Sequence, residues 1–223
     1  MDRSVPRIGA WAGFIAVIGI MGYHIVLMLI AGPRVSGSTD AAAIAAYYSN
    51  ESIAILGVGA ILVLVPFTVF LVALREVTGQ TSTSRFLATI ALAAGIVELA
   101  AILVMISVQS AIVTAVSSGA DAVPLFRFWD VLYNSGTYVF EATWVAAFGL
   151  ALRGHPGFPR WLFRVSILTS LLLAINVFAI WVGIPDPATL PSAILLSAWF
   201  IGASLGLRRL GVAPQPLPEP SPA

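Results

Sequence analysis

Apolar residues in this chain do not alternate with polar ones. They run in long blocks separated by short polar, proline- or glycine-bearing segments. Six blocks reach the roughly 20 residues that a helix needs to cross a bilayer. They are Ile8–Ala31, Ile53–Leu74, Phe86–Ile112, Phe128–Leu152, Trp161–Ile184 and Thr189–Leu207. Each is too long and too apolar for a core helix of a soluble domain. The pattern predicts an all-α polytopic membrane protein, a bundle of six transmembrane helices within residues 1–210. Residues 211–223 carry proline at every second position from Pro214 to Pro222 and predict a disordered cytoplasmic tail.

Smaller signals refine this outline. The first block follows Arg3 and Arg7, like the positive end of a signal peptide. Its apolar run is about twice a usual signal core, so it reads as a retained span. In the loop TDAAAIAAYYSNE, Thr39 or Asp40 can cap a helix start. Ile44, Tyr47 and Tyr48 share one face there, which predicts a short interfacial helix or an extension of the second span. Pro66 removes a backbone hydrogen bond inside the second span and predicts a kink. Gly9–Gly13 and Gly202–Gly206 have the spacing of close helix-packing faces. Trp129, Trp161 and the interfacial tyrosines read as anchors at the membrane surface.

Composition agrees with the pattern. The 223 residues are 59% hydrophobic and 9% charged, against about 25% charged in soluble domains. Cysteine is absent, which excludes disulfides, iron–sulfur clusters and thiolate zinc sites. Lysine is absent too, which excludes a retinal-type Schiff base. With alternating spans, nine arginines fall on one side and only Arg34 and Arg127 on the other. The positive-inside rule then places both termini in the cytoplasm of a multi-pass cell-membrane protein. A net charge of +1 with no basic patch gives no sign of nucleic-acid binding.

Polar groups inside the blocks carry the functional signal. At 100° per residue, Asp130, Asn134, Thr137, Glu141 and Trp144 of the fourth block form one stripe flanked by Tyr133 and Tyr138. An ionisable group at the bilayer centre costs at least about 2.5 kcal/mol, so this stripe must face protein or water. The third block offers Glu98 behind the small residues Ala91, Ala94 and Gly95, with Gln109 three turns later. The first block adds Tyr23 and His24. The fifth adds Thr169 and Asn176, which either line a cavity or bind helices together. A cavity between the first, third, fourth and fifth spans is expected, with Glu141 more functional than Glu98.

No metal site or other cofactor is expected, because His24, Glu98 and Glu141 stand at different depths. No catalytic residue is assigned. Ser135 in Tyr-Asn-Ser-Gly resembles the serine motif of rhomboid proteases, but Tyr133 replaces its first glycine and no histidine stands in the sixth block.

The order of features also resembles a bacterial six-span family known as domain of unknown function 4386. The resemblance rests on the small-residue loop helix before the second span, Glu98 in an apolar third span, and Phe158-Pro159-Arg160-Trp161-Leu162 opening the fifth. The chain departs from it at Val97, where some members carry arginine. The family implies a fold and no activity. The sequence therefore suggests a bilayer protein that binds or moves a small or lipophilic ligand. The alternative is a non-catalytic subunit or scaffold that docks a partner membrane protein or forms a homo-oligomer.

Overall fold

A computed structural model describes residues 3–32, 35, 37, 40–182 and 189–212. Arg34, Thr39 and the proline-rich residues from 213 onward lie outside these described residues. All regular structure described is helical. Five helices are long and apolar enough to cross a membrane: α1 (Ser4–Ala31), α3 (Ser52–Thr78), α4 (Ser82–Ser117), α7 (Trp161–Trp181) and α8 (Thr189–Val212). The last extends through Gly211 and Val212, which the sequence reading had given to the tail.

The fourth block is built differently. It forms α5 (Val123–Val131), a π-helical turn (Leu132–Gly136) and α6 (Thr137–Ala151) in one unbroken helical run. The loop helix α2 (Ala41–Tyr48) is a separate element, not an extension of α3. Asp40 caps it by accepting from the Ala42 N–H at 2.9 Å. Its buried face is Ile44, Tyr47 and Tyr48, the predicted trio. Pro66 stays inside α3.

Packing closes the long elements into a ring. Helix α1 packs on α3 and α8, α4 on α3 and α6, and α7 on α6 and α8. The helix ends that carry nine of the arginines meet at one end of this ring. There Gly211 abuts Arg7, Gly157 abuts Leu210, and Gln80 contacts His155. The opposite end carries α2, α5 and Arg127.

Two apolar cores fill the ring. The larger lies toward the arginine end and gathers Phe67, Phe70, Trp144, Phe148, Trp199 and Phe200. The predicted glycine faces are in it. A Cβ on Gly9 would collide with Ala73, on Gly13 with Ser204 and Phe70, and on Gly206 with Phe158. Small residues let backbones approach closely, which is the main packing device available in lipid. The smaller core holds α2 against α4 and α5 through Tyr48, Ile112, Phe126 and Trp129. Trp129 is only 4% exposed and stacks on Tyr133 at 5.3 Å. It is a core residue, not a surface anchor, because α2 covers it. Trp161 is 43% exposed.

Candidate functional site

Between the two cores lies a cavity of about 390 Å³. Its floor belongs to the larger core: Phe67, Trp144, Leu196 and Phe200. Its far wall is Trp129, Tyr133 and Tyr138. Helices α1 and α4 add Tyr23, His24, Glu98 and Gln109. Both carboxyls singled out in the sequence, Glu98 and Glu141, line this one space. His24 and Leu190 line the cavity and are also exposed, so the cavity reaches the bundle surface between α1 and α8 near the α2 end.

The small residues preceding Glu98 bring it to this position. Ala91 and Ala94 are buried, and a Cβ on Gly95 would collide with Leu71, so α4 lies close against α3. The Glu98 side chain, 5% exposed, then meets the Trp144 indole, which donates its Nε1–H to Oε2. Trp144 is fully buried among Phe67, Trp199 and Phe200. The partner of Glu98 is thus a rigid donor held in an aromatic cluster. Glu141 is partly buried and makes no hydrogen bond or ion pair among the described residues.

The π turn explains where the rest of the stripe goes. The Thr137 N–H bonds to the Leu132 carbonyl five residues back, a spacing that widens the turn and adds a residue to it. The hydroxyls of Ser135 and Thr137 return to the carbonyls of Val131 and Tyr133, each at 2.7 Å. Gly136 suits the wide turn, because a Cβ there would sit 2.8 Å from the Leu132 side chain. As a result the five-residue stripe does not line one space. Thr137, Glu141 and Trp144 line the cavity. Asp130 and Asn134 bond to each other at 2.8 Å, and Asp130 also accepts from the Gly37 N–H at 3.0 Å. That pair lies outside the cavity lining.

His24 joins the cavity wall rather than a metal site. Its Nδ1 lies 2.8 Å from the Ile20 carbonyl and its Nε2 3.1 Å from the Tyr133 hydroxyl. These partners assign the Nδ1–H tautomer, with Tyr133 donating to Nε2. No three metal-ligating side chains converge among the described residues. Gln109 donates to the Ile53 carbonyl at 3.0 Å and accepts from Tyr23 at 3.5 Å. Thr169 and Asn176 are fully buried but do not line the cavity. They are buried on α7, and the Thr169 hydroxyl has no hydrogen-bond partner among the described residues.

Sequence reasoning missed two walls. Helix α3 contributes Ala60, Val63, Leu64 and Phe67, and α8 contributes Leu196 and Phe200. These side chains are apolar, and nothing in an apolar block marks which face borders a void.

A smaller cleft of about 300 Å³ opens at the arginine end beside Gln80, Thr81, Ser84, Arg153 and His155. The Gly157 N–H donates to His155 Nδ1 at 3.2 Å, and Gln80 meets Nε2 at 2.8 Å. Burial pushes the imidazole below its ordinary value of 6.5, opposed in part by the Val77 carbonyl.

No family model, characterised protein or solved structure matches this chain.

Proposed function

We propose that this chain is a six-span membrane protein that binds or moves a small lipophilic ligand within the ring of helices. Both termini lie in the cytoplasm of a cell membrane, and the run from α5 to α6 is the sixth span. The observation that carries this reading is the cavity between two cores, lined mostly by apolar and aromatic side chains with Glu98 and Glu141 inside. Ligand sites are typically clefts of roughly 300–1,000 Å³ with a few placed polar groups. The paired carboxyls are its proton-responsive groups. The inward placement of Thr137, Glu141 and Trp144 supports this reading over a scaffold whose polar stripe docks a partner helix.

The test is whether filling the cavity removes a bound ligand. Mass spectrometry of the protein released from mild detergent should show an apolar molecule retained by the parent. It should be absent from Ala60→Phe and Ala193→Phe, both on the cavity wall. Equal retention by the parent and both filled variants would sink the proposal.

A further inference from the structure

The acidic residues that line the cavity are Glu98 on α4 and Glu141 on α6. No arginine lines it, and α3, α7 and α8 contribute no titratable side chain to it. The remaining titratable groups are His24 and the phenols Tyr23, Tyr133 and Tyr138. His24 is held by Ile20 and Tyr133. The cavity therefore contains two carboxyls and no arginine.

The two carboxyls differ in what they lack. Glu98 has its donor in Trp144. Glu141 meets no hydrogen-bond donor or cation among the described residues, although it borders the open space. Buried charges in proteins are paired or coordinate an ion. The same cavity is lined by Tyr138, Trp144 and Phe67, and aromatic ring faces attract cations within about 6 Å. A carboxylate in an aromatic, apolar enclosure complements a cation that carries its own apolar groups. A strongly hydrated metal ion finds too few oxygen ligands there.

We propose that the ligand is a lipophilic organic cation, an amine or quaternary onium ion, and that Glu141 is the carboxylate that receives its charge. The inference rests on the cavity reading above and names its ligand class. The cation enters between α1 and α8 near the α2 end, where His24 and Leu190 mark the opening. Its apolar groups pack against Phe67, Trp144 and Phe200, and its charge faces Glu141. Glu98, fixed by Trp144, stands nearby without direct contact.

The experiment uses two probes of one shape and opposite charge, tetraphenylphosphonium and tetraphenylborate. Their binding to the full chain in lipid nanodiscs is measured by equilibrium dialysis against empty nanodiscs. Tetraphenylphosphonium should bind at least about tenfold more tightly than tetraphenylborate. Glu141→Gln should weaken the cation by a similar factor and leave the anion unchanged or improved. Glu98→Gln should weaken the cation less. Equal or tighter binding of the borate, or a Glu141→Gln protein that keeps its cation affinity, overturns the charge assignment while leaving a lipophilic cavity in place. If neither probe binds the parent above empty nanodiscs, this inference is overturned. The cavity reading is then decided separately by its own retained-ligand test. The parent comparison alone is decisive if the glutamine variant does not fold.

Discussion

The two ends of the helix ring are packed by different rules, and α1 crosses from one to the other. Its buried residues run from Pro6 to Val17, and none of its residues beyond Val17 is buried. Near the arginine end, Gly9 and Gly13 have no room for a Cβ; at Gly22 a Cβ would meet nothing within 4 Å. The arginine half is thus a close-packed aromatic and small-residue core. The α2 half is a frame around a void, closed at its end by a second core that hangs on α2 and α5. Dense packing fixes the position of Trp144, and Trp144 fixes Glu98. The void next to it leaves Glu141 exposed to whatever enters. Close packing at one end is what makes a precise wall for the open space at the other.

The sharpest way to break this contrast is a single methyl group placed in each half. Gly13→Ala puts a Cβ against Ser204 and the Phe70 ring, with ring carbons at 2.6 and 2.7 Å. Overpacking of this kind typically costs about 1–3 kcal/mol. Gly22→Ala meets nothing and gains helix propensity, so stability should hold or rise slightly. Thermal unfolding in one detergent decides this. Equal losses for the two variants would mean that the halves are not packed differently.

A second experiment tests whether the dense half positions the carboxyl. Trp144→Phe keeps a ring but removes the donor to Glu98, leaving a buried acceptor unsatisfied at a cost of about 1–3 kcal/mol. Glu98→Gln should cost little, since its amide oxygen can still accept from the indole. In a Glu98→Leu background the Trp144→Phe change should cost less than it does alone. A double-mutant cycle with no coupling would show that the contact contributes nothing to stability.

The open half should respond more weakly. Tyr133→Phe removes the hydroxyl that bonds His24 and should cost about 0.5–1.5 kcal/mol. It should also shift the His24 ring signals in a proton–nitrogen NMR spectrum. Unchanged His24 signals would refute the bond.

How far the sequence could be read follows the same division. The glycine faces, the α2 trio and the blocks behind α1, α3, α4, α7 and α8 were legible, because each rests on a local period or a run length. The polar stripe was half legible. Its inward half at Thr137, Glu141 and Trp144 follows the 100° step, whereas Asp130 precedes the π turn and Asn134 lies within it. A constant step per residue cannot anticipate that turn. Its local signal is Ser135, Gly136 and Thr137 in succession: two hydroxyls that can bond back to carbonyls and one residue without a Cβ. Trp129 was misread because its cover, α2, comes from 80 residues earlier in the chain. The Glu98–Trp144 contact lay between two residues singled out separately, and only tertiary packing pairs them.

The smallest expected effect sits at the rim of the dense end. His155 accepts a hydrogen bond from the Gly157 N–H at Nδ1, so protonating that nitrogen breaks a contact of the folded chain. Burial likewise holds the imidazole below 6.5. As pH falls, the unfolded chain takes up the proton first. The contribution of His155 to stability is therefore intact above about pH 6.5 and is lost as pH falls through the lower folded value. His155→Asn keeps an acceptor near the Nδ1 position but does not titrate. Melting temperature followed from pH 8 to pH 5 should fall less steeply for His155→Asn than for the parent. The difference should be small, because the side chain is only half-buried and its charge is screened by solvent. A parent curve no steeper than that of the variant would show that the His155 contact does not favour the neutral ring.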